Sequence, residues 1–187
     1  MIKSRLLNFF IISIFFFSCN KNQNSIDVSQ QWLIDYNGNL VQAPGDGLND
    51  GQWGPRTFST QEQNLFTGLD TASLSGTTAP DSVLSSSTII PNPFTTEAIF
   101  VFTFPSGFNG QTVFKYVIVD DHMNTKFKGT LRIGATSDPN FPLRPTSSGP
   151  IHFYPIIPVG KYRMYYSLSA ASSPSFYTSW GNIQKIQ

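Results

Sequence analysis

The chain has 187 residues, 40% of them hydrophobic and 12% charged, with a formal net charge of +1. That length fits one domain, or one domain with a smaller appendage, and the apolar fraction excludes global disorder. Taking Lys3 and Arg5 away with the first 18 residues leaves 10 of the 12 Lys and Arg against 11 Asp and Glu, with no basic stripe; this argues against nucleic acid as a partner.

The N-terminus begins with Met1-Ile2-Lys3-Ser4-Arg5, a short positive stretch. An apolar run follows over residues 6–17, interrupted by Asn8 and Ser13. The run is too short to span a bilayer comfortably and has the flanks of a secretory signal, predicted over residues 1–18. Cys19, the only cysteine, follows directly and has no disulfide partner within the chain. Phe16-Phe17-Ser18-Cys19 resembles the lipobox of bacterial lipoproteins, in the Phe-rich, Ser-before-Cys form common in the Bacteroidota. The resemblance implies a thioether-linked diacylglycerol on Cys19, which becomes the mature N-terminus. The membrane is then a partner through the acyl chains, in the cell envelope and at the outer membrane, in its periplasmic or its surface leaflet. Residues 19–30 are expected to be the lipidated cysteine and a flexible tether.

Residues 31–88 are predicted to form a hairpin, a short helix and a linker. Gln31-Trp32-Leu33-Ile34-Asp35-Tyr36 reads as a strand, Asn37-Gly38 as the pair a two-residue type I′ turn wants, and Asn39-Leu40-Val41-Gln42 as the return strand. Asp46-Gly47-Leu48-Asn49-Asp50-Gly51 offers oxygen ligands but lacks the EF-hand order, with Leu48 at the third position and Thr57 at the twelfth. Asp-Gly turns account for it without calcium. Ser59-Thr60-Gln61-Glu62 matches a capping box, Leu65 and Phe66 supply an apolar face, and Gly68 suits the stop of a helix over residues 60–67. Residues 71–88 are Ser/Thr-rich and read as a linker, broken by a strand at 82–84.

Residues 89–187 are the strand-rich module. Ile89-Ile90-Pro91-Asn92-Pro93-Phe94 enters it extended, since two prolines remove two backbone donors. The apolar run over residues 98–104 is expected to be buried on both faces. After a turn at 107–110, strands are predicted over 112–120, 126–133, 151–154, 161–168 and 176–183, with a turn at 121–124. In the 161–168 strand, Tyr162, Met164, Tyr166 and Leu168 alternate onto a core face, and Lys161, Arg163, Tyr165 and Ser167 are expected on a wet one. Such strands between Gly, Pro and Asn turns predict an all-β, Ig-like antiparallel sandwich with one short helix.

Pro91-Asn92-Pro93-Phe94, the strand after it, Val117-Ile118-Val119-Asp120 and Gly160-Lys161-Tyr162 resemble the Ig-like modules of type IX secretion sorting domains and of the flagellar hook-capping protein. The resemblance spans residues 89–168 and implies an Ig-like fold. Residues 142–150 replace the aromatic-Gly-rich segment those modules usually carry, and residues 169–187 run past their closing strand. No functional residue carries over.

No Gly-x-Ser-x-Gly elbow or phosphate-binding glycine loop is present. His122 and His152, with Asp120 and Asp121, read as hydrated turn and strand residues, and nothing at ligand spacing supports a metal. No catalytic, cofactor or metal residue is assigned. Trp32, Trp53 and Trp180 could stack on sugar rings if exposed together, whereas core packing is the commoner fate of tryptophan; Trp53, in a glycine-rich loop, is the expected exception. The sequence therefore points to an envelope lipoprotein with a non-enzymatic binding or structural domain, partnered by an envelope protein or a glycan. The alternatives are a glycan-binding surface lipoprotein of an uptake system and a small hydrolase.

Overall fold

The computed structural model describes residues 25–43, 52–69, 86–103, 112–133, 148–170 and 173–187. The signal segment, Cys19, the Asp46–Gly51 turn, residues 71–85 of the linker with its 82–84 strand, and the 107–110 turn lie outside them, whereas residues 86–88, expected to be linker, belong to a strand. A hairpin of β1 (Leu33–Ile34) and β2 (Leu40–Gln42) is followed by helix α1 (Thr60–Asn64) and seven longer strands. These are β3 (Ser86–Ile90), β4 (Ala98–Thr103), β5 (Thr112–Val119), β6 (Thr125–Ile133), β7 (Ser148–Phe153), β8 (Gly160–Ala170) and β9 (Ser173–Lys185). They form a three-stranded sheet, β3-β4-β7, and a four-stranded sheet, β6-β5-β8-β9, with every pairing antiparallel. Consecutive strands switch sheets from β4 to β5, from β6 to β7 and from β7 to β8, which gives an Ig-like sandwich.

The core between the sheets follows from period-two alternation. Ile89, Ala98, Phe100, Phe102, Ile151 and Phe153 from one sheet meet Phe114, Tyr116, Ile118, Tyr162, Met164, Tyr166, Leu168, Tyr177 and Ile183 from the other. Phe100 is the centre of this layer, stacked on Phe114 at 4.8 Å and edge-on to Tyr166 at 4.7 Å. On β4 only this face is fully buried; Ile99 and Val101, expected to be buried as well, are half-buried. The last strand is longer than expected, and the chain beyond residue 168 is no appendage: β9 pairs with β8 along its length and completes the four-stranded sheet.

The outer face of that sheet is covered too, which overturns the expected wet face of β8. Arg163, Tyr165 and Ser167 are all buried, and only Lys161 stays exposed. A second apolar cluster, Phe58, Phe66, Val117, Val119, Tyr165 and Trp180, explains it: the segment around α1 lies over this face. Residues on β5 are consequently buried on both sides from Phe114 to Val119, Lys115 included.

The capping box holds α1 in place. Ser59 Oγ accepts from the Glu62 amide at 3.3 Å, and the Ser59 amide donates to Glu62 Oε2 at 2.8 Å. The helix is shorter than predicted. Beyond Asn64 the amides of Leu65, Phe66 and Thr67 bond three residues back, so the last turn tightens, and Gly68 then takes φ +85°.

The first hairpin is present, but its turn differs from the expected type I′. The Gly38 amide donates to Asp35 O, and the Asp35 amide to Asn39 O. Positive φ falls on Gly38 and not on Asn37, which is the three-residue loop with a glycine bulge. Asp35 is the reason: its carboxylate accepts from the amides of Asn37 and Asn39 and from Asn39 Nδ2. The β5–β6 turn repeats the arrangement, with Asp120 accepting from the amides of His122 and Asn124 and from Asn124 Nδ2, and with Met123 at φ +64°.

Candidate functional site

Residues before β3 and just after it converge on β9, the sheet's edge strand. The Trp53 amide donates to Trp180 O at 2.7 Å and the Arg56 amide to Thr178 O at 2.9 Å. At the other end the Phe94 amide donates to Gln184 O at 2.9 Å and the Ile186 amide to Phe94 O at 2.8 Å. Between these two additions the Asn182 amide donates to Gln52 Oε1. An edge that would otherwise invite another chain is thus capped from within.

Two buried asparagines organise the junction. Asn92, between two cis prolyl bonds, exchanges both backbone bonds with Ile34. Its Nδ2 donates to Trp32 O at 2.8 Å and to Asn182 O at 3.0 Å, and its Oδ1 accepts from the Gln184 amide at 3.0 Å. Asn182 in turn donates through Nδ2 to Asp27 O and Gln30 O, and accepts from Arg163 Nε at 2.9 Å. Arg163 also donates to Asp27 O at 2.5 Å and lies 3.8 Å above the Trp180 ring, while the Arg56 guanidinium lies 5.9 Å from that ring. Residues 25–30, expected to be tether, are therefore fastened across the outer face: the Ile26 amide donates to Asp121 O, and Lys161 Nζ to Ser29 O.

An open cleft of about 200 Å³ lies beside this junction, lined by Ser29, Gln30, Gln31, Leu33, Gln42, Ala43, Lys161 and Gln184. Amides, a hydroxyl and one ammonium dominate it, so it suits a polar ligand able to donate and accept many hydrogen bonds.

The three tryptophans do not form a platform. Trp53, the expected exception, is 7% exposed and sits between the sheets at the β9 edge, where Tyr177 Oη donates to its carbonyl. Trp180 is 8% exposed on the opposite face of the same sheet. Trp32 is half-buried against the inner core. Alternation along β9 puts its own Trp180 outward, while the open side of the sandwich draws Trp53 inward.

The two histidines lie apart in the fold and each meets a carboxylate. His152 Nδ1 hydrogen-bonds Glu97 Oε1, which also accepts from Tyr154 Oη at 2.9 Å. The His152 and Tyr154 bonds lower the Glu97 carboxyl below its usual range. The group is exposed and ties β7 to the connection preceding β4. His122 Nδ1 meets Asp121 Oδ1 at 2.7 Å in the β5–β6 turn. Asp120, Asp121 and His122 bring ligand atoms within 4.8 Å of one another, yet Lys126 Nζ already sits 2.8 Å from Asp120 Oδ2. That ammonium occupies the place a cation would take. Burial acts to raise the Asp120 pKa, but the bonds from Lys126, Asn124 and His122 outweigh it and hold the group far below the usual carboxylate range.

Sequence reasoning missed the two asparagines. Asn92 had a signal, a polar residue between two prolines in an apolar stretch; Asn182 had none. No protein-family model matches this chain, and no curated protein matches its sequence.

Proposed function

We propose that this protein is a cell-envelope lipoprotein, acylated at Cys19 and held at the outer membrane, whose sandwich serves a non-enzymatic binding or structural role. The observation that carries the reading is Phe16-Phe17-Ser18-Cys19 directly behind a basic start and an apolar run, with no second cysteine in the chain. Among the described residues no helix is long and apolar enough to cross a membrane. Because the β9 edge is covered from within, a partner adding a strand would do so at β3, β6 or β7, the other edges of the two sheets.

Protease accessibility on intact cells tests this, comparing wild type with Cys19→Ala. Wild type cleaved at the surface, with the variant released or retained inside, supports a surface lipoprotein. Protection until the outer membrane is opened assigns the protein to the periplasmic leaflet and favours an assembly role. Unchanged membrane association of Cys19→Ala sinks the reading.

A second reading, glycan binding by a surface lipoprotein, rests on the polar cleft and no longer on the tryptophans. It expects saccharide binding that falls on Lys161→Ala and Gln42→Ala and is unaffected at residues remote from the cleft. A glycan screen without a hit, or binding indifferent to both substitutions, removes it.

A further inference from the structure

We infer that the end of the sandwich carrying Tyr154, Ile156 and Val159 rests on the lipid bilayer, so that the domain stands upright on the membrane. The inference deepens the lipoprotein reading and rests on acylation of Cys19.

Three observations meet at this end. First, antiparallel pairing gathers the end of β5, the starts of β6 and β8 and the end of β9 there, since Val119 pairs with Thr125 and Arg163, and Gly160 with Lys185. The connection from β7 to β8 joins them: Tyr162 Oη donates to Pro158 O at 2.9 Å, and Lys185 Nζ to Pro155 O at 3.4 Å. Second, the chain enters the fold at this end, because the Ile26 amide is bonded to Asp121 O in the β5–β6 turn. From Cys19 to Ser25 there are six peptide units, which can reach at most about 22 Å. The lipid on Cys19 therefore holds this end, and not the opposite one, within that distance of the bilayer. Third, the end exposes large apolar side chains. Ile156 is 87% exposed, Tyr154 57%, Val159 56% and Ile186 38%. Tyr36, Leu40 and Val41, the other exposed large hydrophobics among the described residues, belong to the hairpin docked on Asn92, which bonds Gln184 beside this end.

Alternation explains how the patch is built. Along residues 151–157, Ile151, Phe153, Pro155 and Ile157 turn into the core, so His152, Tyr154 and Ile156 turn outward. Tyr154 carries a polar tip bonded to Glu97 on an apolar ring, the form of side chain favoured at a membrane interface. Acidic and basic groups are mixed at this end: Asp120, Asp121 and Glu97 stand against Lys126, Lys161 and Lys185. Attraction to anionic headgroups is therefore not what holds it. The acyl chains anchor the domain at the surface, and the apolar rim sets its tilt.

The test uses full-length lipidated protein purified in detergent and placed in phosphatidylethanolamine–phosphatidylglycerol vesicles. Acylation is verified by intact mass and attachment by flotation. Ile156→Cys and Thr130→Cys each carry an environment-sensitive fluorophore; both native residues are exposed, so folding is spared. Expected is a blue-shifted emission at 156, quenched by nitroxide-labelled acyl chains, with water-like, unquenched emission at 130 on β6. Acylated, vesicle-bound protein whose 156 probe stays water-like overturns the inference and leaves the lipoprotein reading intact. Protein that carries no acyl mass takes both down together.

Discussion

The Trp53 indole lies against the backbone of Gly181 so closely that a β-carbon on Gly181 would come within 2.2 Å of the ring. The glycine on β9 is thus a slot, and Trp53 closes the open side of the sandwich through it, 6.1 Å from the Tyr166 ring. Gly181→Ala is expected to expel the indole and destabilise the protein by about 2–3 kcal/mol, as overpacking of a filled core does. Urea denaturation reads the stability, and a red shift of tryptophan emission reads the displacement. An unshifted spectrum would show that the ring is accommodated elsewhere.

Asn92 uses its side chain fully, giving two hydrogen bonds and accepting one, at 1% exposure. Asn92→Ala strands two carbonyls and an amide and is expected to cost about 2–3 kcal/mol. Asn92→Asp has the same shape yet turns a carboxylate oxygen toward the carbonyls of Trp32 and Asn182, so it should cost more than alanine does. Faster amide exchange at Ile34 than in the core strands would locate the damage at the docked hairpin. Equal stability of the two variants would contradict this account.

Tyr162 Oη donates to Pro158 O four residues back, the tyrosine corner seen in Ig-like sandwiches. Tyr162→Phe keeps the packing and removes the bond, for an expected loss of about 1 kcal/mol. Gly160→Ala, whose β-carbon would lie 3.1 Å from that hydroxyl, should disturb the same corner, and the double variant should lose less than the sum of the two. Additive losses would mean that the two residues act independently.

Asp120 supplies the pH dependence. Its carboxyl is held below its unfolded value by Lys126, Asn124 and His122 despite burial. A depressed folded pKa stabilises above the unfolded value of about 3.9 and loses that contribution as pH falls toward the folded value. Wild type should therefore lose thermal stability between about pH 5 and pH 2 more steeply than Asp120→Asn, which no longer titrates there. Parallel melting curves for the two proteins would rule Asp120 out as the group responsible.

Much of the fold was legible in the sequence because local rules fix it. Alternation along residues 161–168 and the β-branched and aromatic run over 112–119 marked the central strands, and Ser59 with Glu62 marked the start of α1, since a capping box depends only on residues three apart. The apolar start followed by Cys19 carried the export and anchoring reading in the same local way. Tertiary structure alone decided what covers each surface. Arg163 looks like a solvent-facing strand residue until residues 25–30 and Trp180 close over it, and Trp53 looks like a loop residue until Gly181, far along the chain, opens a slot for it. Asn182 could not be singled out, because its partners Asp27, Gln30, Gln52 and Asn92 are distant in sequence and meet only when β9 is in place. Periodicity tells which faces a strand has; which of them stays wet depends on what the rest of the chain lays across it.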